Sequence, residues 1–257
     1  MPTLSVFTGN IGCGKSFLAS KFANRDGAVV CNMDKLYELI EGRQDAQYDP
    51  AKKPVYQATE DALIRSALSV GLDVVIDRTL MQANRRKHFI DIGKEFGAKI
   101  VSYNWGPGTI DDLARRQREP RGVPIQKWDE IFTFMQSQYE EPSITEGFDE
   151  ILVPPPEYKF YAFDFDGTIV EASKFPKWGD VISGTVAKMN ALYGSLANVI
   201  IIWSCRSGDY EAEMRQFLQK QKIRFDFIND NPFYPGRRKV FAHEYYDDRN
   251  ATIGDKK

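Results

Sequence analysis

The stretch Gly9-Asn10-Ile11-Gly12-Cys13-Gly14-Lys15-Ser16 restricts the fold of this chain more than any other. It lies between an apolar run (Leu4, Val6, Phe7) and a helical pattern (Phe17, Leu18, Phe22). The backbone must therefore leave a strand, turn on glycines and enter a helix at once. That order serves anion binding. Glycines let successive backbone N–H groups face one anion, and the helix N-terminus adds its positive dipole end. Lys15 then reaches the β- and γ-phosphates of a nucleoside triphosphate, and the Ser16 hydroxyl holds Mg²⁺. Gly9, Gly12, Cys13, Gly14, Lys15 and Ser16 are the expected ATP-binding residues.

The elements that follow keep a strand–helix alternation, which predicts a doubly wound parallel sheet. A second strand, Ala28 to Asn32, runs up to Asp34. Ligands collect at the carboxyl ends of parallel strands, so Asp34 shares the rim of the glycine loop. It reads equally as a catalytic base or as a helix cap. Residues 41–54 read as a polar loop and 55–70 as a helix. A third strand, Asp73 to Asp77, again ends in an acid. A helix over 82–96, a strand over 99–103 and a helix capped by Thr109 complete the pattern. Arg115, Arg116, Arg118 and Arg121 then crowd a helix end before a Pro/Gly segment. They read as a flap that closes over ATP phosphates, against the plainer reading of a helix end neutralising its own dipole.

A strand at Glu150 to Val153 stops at Pro154-Pro155-Pro156, where neither helix nor central strand can continue. The expected organisation is one domain over 1–153, a stiff linker over 154–158 and a second domain over 159–257. The second half opens with a strand, Lys159 to Phe163, running into Asp164-Phe165-Asp166-Gly167-Thr168. Carboxylates at i and i+2 share a side, and around one Mg²⁺ they can divide the roles of nucleophile (Asp164) and general acid/base (Asp166). A buried strand, Val199 to Trp203, ends at Ser204-Cys205-Arg206. Lys239 follows, and a last strand, His243 to Tyr246, ends at Asp247-Asp248. The recurrence of acid pair, Ser, Lys and acid pair indicates a metal-dependent phosphoryl site.

Composition narrows the setting. No apolar run approaches the ~18–20 residues of a membrane span, and the N-terminus enters the first strand without the pattern of a signal peptide. The three cysteines (Cys13, Cys31, Cys205) lack metal-ligand spacing and read as reduced thiols of a cytoplasmic protein. A net charge of −2 announces no nucleic-acid partner, although basic residues cluster locally at 85–87, 115–121 and 237–239.

The acid pair at 164 and 166, Ser204, Lys239 and Asp247-Asp248 resemble the four motifs of the haloacid dehalogenase superfamily, over residues 159 to about 250. The resemblance implies an aspartyl-phosphate mechanism. Asp164 would attack phosphorus, and Asp166 would serve the leaving group and then water. Ser204 and Lys239 would hold the phosphate, with Arg238 adjoining Lys239. Asp164, Asp166, Asp247 and Asp248 would complete the Mg²⁺ site, and Thr168 and Arg206 would meet the substrate. About thirty-five residues separate Thr168 from Ser204, which implies a small-cap or capless, open site.

Residues 1–153 are similar to the phage polynucleotide kinase group of P-loop kinases, on Gly9 to Ser16, Asn32-Met33-Asp34, Asp77-Arg78-Thr79, Asn84-Arg85-Arg86 and the arginine segment. By that likeness Asp34 is the base for a 5′-hydroxyl, Arg121 or Arg118 clamps ATP, and Asp77, Arg78 and Arg86 meet the acceptor. Tyr37 stands where those kinases carry an arginine. Kinase first and phosphatase second is the order of the bacteriophage-type bifunctional polynucleotide kinase/3′-phosphatases. The resemblance implies an enzyme that heals DNA or RNA ends with ATP and Mg²⁺. A metabolic kinase fused to a small-molecule phosphatase, and a nucleotide-gated binding module without turnover, are the alternatives. Homo-oligomerisation is left open.

Overall fold

The computed structural model describes residues 1–44, 46, 48–118, 123–234 and 240–248. The chain forms two compact units, Met1–Pro154 and Pro155–Lys257, and the boundary falls inside the proline triplet.

The first unit runs β1 (Thr3–Thr8), α1 (Lys15–Asp26), β2 (Val29–Asn32), α2 (Met33–Glu41), α3 (Lys53–Ser69), β3 (Val74–Asp77), α4 (Ala83–Glu95), β4 (Lys99–Asn104), α5 (Ile110–Arg118), α6 (Ile125–Ser137) and β5 (Glu150–Leu152). Its five strands lie in the order β2-β3-β1-β4-β5 and every neighbouring pair is parallel. Such a sheet needs both faces covered, which is why its strands read as nearly continuous apolar runs. In β1, the central strand, Leu4, Val6 and Phe7 are fully buried. The core on this sheet joins Leu4, Val6 and Ile76 to Ile64 and Leu68 of α3 and to Phe89 and Ile90 of α4. A satellite cluster of Leu113, Trp128 and Phe132 fixes α5 against α6. The strand order sets the carboxyl ends of β1, β2 and β3 side by side, so the glycine loop, Asp34 and Asp77 meet on one rim.

The second unit runs β6 (Lys159–Asp164), α7 (Ser183–Tyr193), β7 (Asn198–Trp203), α8 (Asp209–Lys220), β8 (Phe227–Ile228) and β9 (Glu244–Tyr246). Its sheet has the order β8-β7-β6-β9, again parallel throughout. Phe163, Phe165, Ile200, Ile202, Met189 and Met214 are among the residues of its core. Buried Asp226 accepts the Ile200 N–H at 2.7 Å and ties the approach to β8 onto β7.

Several elements differ from the sequence expectation. The helix expected from Val55 begins at Lys53, behind a 3₁₀ turn capped by Asp49. α6, α7, α8 and β8 were not anticipated. Among the described residues no helix is long and apolar enough to cross a membrane.

Candidate active sites

The glycine loop is built by two left-handed residues and one buried side chain. Gly12 and Gly14 have φ of 77° and 94°, a region that costs any other residue strain. A Cβ on Gly12 would also lie 2.0 Å from the Asp112 carbonyl oxygen, so the loop and α5 touch backbone to backbone. Asn10 is fully buried. Its Nδ2 donates to the carbonyls of Pro107 (2.9 Å) and Phe132 (3.0 Å), and its Oδ1 accepts the Ile11 N–H at 2.8 Å. Asn10 thus clamps the loop to the segments before α5 and within α6, a role invisible without the fold. Lys15 is 8% exposed and folds back on its own loop, with Nζ donating to the carbonyls of Asn10 (2.6 Å) and Gly9 (3.0 Å). Phosphate oxygens would replace those carbonyls as acceptors. Burial pushes the Cys13 thiol up, so it stays protonated and inert beside Lys15.

Around this loop opens a cavity of about 610 Å³, lined among others by Ser16, Asp34, Asp77 and Arg116. Asn32 caps α2, its Oδ1 accepting the Lys35 N–H at 3.1 Å. Asp34 therefore sits inside the first turn, exposed toward the cavity, and the cap reading of this residue is displaced. Asp77 is 6% exposed and accepts from Asn32 Nδ2 at 2.7 Å, which joins the ends of β2 and β3 behind the acceptor side.

Two residues expected at the substrate, Arg86 and Arg78, are held by carboxylates of the first unit. Arg86 is fully buried: Nε and Nη2 each donate to Glu146 at 2.8 Å, and Nη1 donates to the Leu80 and Met81 carbonyls. No face of it is left for a substrate. Arg78 forks onto buried Glu60 at 2.8 and 3.1 Å and lies over the Phe89 ring. The same Glu60 accepts weakly from Cys31, whose thiol burial, with Glu60 second, pushes up to about 12. Arg78 borders a separate cavity of about 320 Å³ with Asn84, Arg85 and His88.

The arginine segment divides its labour. Arg115 donates to the Gly12 carbonyl and pairs with Asp112 at 3.1 Å. Arg116 lines the main cavity and stacks its guanidinium 4.2 Å from the Trp128 ring centroid. Arg118 ends α5, and Arg121 lies outside the described residues. Thr109 caps α5 as expected, its hydroxyl oxygen taking the Asp112 N–H at 3.3 Å while Asp112 accepts the Thr109 N–H at 2.8 Å.

In the second unit, Asp164 is the last residue of β6, and Asp247 and Asp248 follow β9, the neighbouring strand. One carboxylate oxygen from each lies within 4.8 Å of the others. Burial first, then repulsion from Asp247, Asp166 and Asp248, pushes Asp164 up to about 6. A compact set of oxygen ligands under mutual repulsion fits a hard divalent cation such as Mg²⁺. Gly167 has φ 89°, and a Cβ there would meet the Asp248 carboxylate at 2.4 Å, so only glycine admits that side chain. The Thr168 hydroxyl oxygen accepts the Asp248 N–H at 3.0 Å and locks the two loops together. The adjoining cavity, about 420 Å³, is lined by Thr168, Thr185, Lys188, Tyr246 and the acid pair.

Asp166 does not join the carboxylate cluster expected from the sequence. Its oxygens accept from Arg206 Nη2 at 2.6 Å and Nε at 2.9 Å. Arg206 is 2% exposed, capped further by the Pro176 and Lys177 carbonyls and stacked near Phe165, Phe175 and Trp178. Like Arg86, its guanidinium is taken up by groups of its own unit. Ser204 is 9% exposed; its N–H donates to Asn229 at 2.8 Å and its Oγ accepts the Arg206 N–H. Lys239 and Arg238 lie outside the described residues.

The AAA domain family matches residues 4–142, more than half of the chain. The chain belongs to this AAA domain family. The matched AAA domain region contains the glycine loop, Asp34, Asp77, Arg116 and every other residue lining the 610 Å³ cavity. No curated protein matches the chain. Among solved structures, the chain is similar to one in the Pnkp1/Rnl/Hen1 RNA repair complex, at 19% identity over 97% of this chain and 90% of that one, with a TM-score of 0.44. A shikimate kinase from Bacteroides thetaiotaomicron is similar over 59% of this chain and 86% of its own, at 16% identity and a TM-score of 0.42. A conserved protein from the same organism is 30% identical over 37% of this chain and 78% of its own, with a TM-score of 0.33.

Proposed function

We propose that the chain is a two-site phosphoryl-transfer enzyme. The first unit phosphorylates a 5′-hydroxyl end of DNA or RNA with ATP, and the second removes phosphate from a 3′ end. The observation that carries the kinase reading is that Ser16 and Asp34 line one cavity of about 610 Å³, which brings a glycine-loop helix start and an exposed carboxylate to the same space. Asp34 takes the proton of the acceptor hydroxyl. The oxygen bonds to the γ-phosphorus as the bond to the β,γ-bridging oxygen breaks, and ADP leaves with that electron pair. Loop N–H groups, Lys15 and Arg116 face the transferring charge, and Ser16 would hold the Mg²⁺ that accompanies ATP.

In the second unit an Asp164 oxygen bonds to phosphorus while the ester P–O bond breaks. The leaving oxygen takes a proton from Asp166. Asp166 then takes a proton from water, whose oxygen attacks phosphorus and frees Asp164 and inorganic phosphate. Asp164, Asp247 and Asp248 would hold Mg²⁺, which neutralises charge on the phosphate when bound. Ser204 stands one strand end away, where its hydroxyl would donate a hydrogen bond to the substrate phosphate. The kinase-then-phosphatase order of motifs supports nucleic-acid ends as the shared substrate. The net charge of −2 favours a second reading, a small hydroxyl acceptor for the kinase.

Labelled ATP offered to 5′-OH oligonucleotides, free nucleosides and simple sugars separates the two readings. Label on the oligonucleotide, lost to at most one part in ~10² in Asp34→Asn, is the expected result. Label on sugars alone would refute the end-healing reading.

A further inference from the structure

Tyr37, Tyr48 and Tyr56 form one ring cluster, with Tyr37 4.6 Å from Tyr56 and 5.8 Å from Tyr48, and Tyr48 5.9 Å from Tyr56. The three are not equivalent. Tyr56 is 1% exposed, and its hydroxyl donates to Glu41 at 2.9 Å, a carboxylate that Lys52 also holds at 2.7 Å. It is a fixed backing. Tyr37 is half-buried and Tyr48 is 47% exposed, and both line the cavity that holds Ser16, Asp34 and Asp77. Asp34 and Tyr37 stand at i and i+3 on α2, so one helix face presents both the carboxylate and the ring.

A core cluster would bury all three rings. Leaving the outermost one in the acceptor cavity costs apolar burial, and an acceptor with a flat apolar face recovers it. Polyols and small acids have no such face. A nucleobase attached one sugar away from the reacting hydroxyl does. Resting on the kinase reading above, we propose that Tyr48, backed by Tyr37 and Tyr56, stacks the base of the terminal nucleotide that carries the 5′-hydroxyl. The site would then select a base-bearing end with little regard to which base, since every base offers a π face.

The test compares two 5′-OH oligonucleotides that differ only in whether the terminal nucleotide carries a base or is abasic. Wild type should favour the base-bearing end by about 5- to 100-fold in kcat/KM, the range that base–aromatic stacking supplies. Tyr48→Ala should lose that preference, mainly through a raised KM for the base-bearing end. Tyr48→Phe should keep it. Equal use of both ends by wild type, or an undiminished preference in Tyr48→Ala, overturns the platform and leaves the kinase reading standing. Phosphorylation of a monosaccharide but of neither oligonucleotide overturns the end-healing reading and the platform together.

Discussion

Replacing Arg86 with alanine separates a scaffold role from a substrate role for that residue. The change removes four hydrogen bonds at once, two to Glu146 and one each to the carbonyls of Leu80 and Met81. It also leaves the Glu146 side chain, 15% exposed, without its cation. Breaking a buried pair from one side costs ~3–5 kcal/mol. Glu146 retains the Ser143 N–H at 3.0 Å and some water, which places the loss near the lower end, about 3 kcal/mol. For a unit of this size each kcal/mol moves Tm by about 2–4 °C, so the expected fall is roughly 6–12 °C. The assay is thermal unfolding of the full chain, following the transition that ATP shifts upward. ATP affinity measured well below that transition should be unchanged. A Tm within ~2 °C of wild type, with acceptor phosphorylation lost, would refute the scaffold argument and return Arg86 to the substrate.

Gly12→Ala places a methyl against the Asp112 carbonyl at a left-handed φ, so ATP binding by calorimetry should fall at least ~10-fold, and wild-type affinity would show that the loop and α5 separate freely. Asp164→Asn should abolish phosphate release from a 3′-phosphorylated oligonucleotide and leave kinase activity intact; residual release would remove Asp164 as the nucleophile. Arg206→Lys cannot reproduce the two-pronged grip on Asp166, so turnover in the same assay should fall by ~10-fold or more with substrate KM little changed, and a rise confined to KM would make Arg206 a substrate contact after all. Fragments 1–154 and 155–257 should each fold and keep their own reaction, as judged by cooperative melting and by the two assays; folded but inactive fragments would show that each site needs the other.

Local patterns were readable where the physics is local. The glycine loop, the acids at strand ends and the Thr109 cap depend on residues within a few positions, and each lies where the spacing predicted. What escaped depends on partners far away in the chain. Arg86 and Arg206 were expected at the substrate from family likeness, and the carboxylates that hold them, Glu146 and Asp166, lie 60 and 40 residues off. The cap considered for Asp34 belongs instead to Asn32, whose side chain is the one that reaches the Lys35 N–H. α7 begins Ser183-Gly184-Thr185, poor helix formers held by burial of Met189 and Tyr193. β8 is two residues long and exists only as an addition to β7. The Tyr37–Tyr48–Tyr56 cluster joins a helix, a loop and a second helix, and no periodicity announces it.

The registry of the first sheet also dictates when the nucleotide loop can come into being. Leu4 pairs with Val74 and Thr3 with Lys99, so β1 has no first neighbour until β3, and no second until β4, has been synthesised. Chains whose pairings are this distant fold slowly, because the entropy of closing long loops is lost before any contact repays it. A growing chain therefore carries Leu4, Val6 and Phe7 as an unpaired apolar strand through about seventy residues of elongation, until β3 is made. That interval, and not the finished protein, is where self-association is most exposed. Substitutions that raise the β-propensity of β1 would strengthen the finished sheet and at the same time lower the yield of folded molecules from the ribosome.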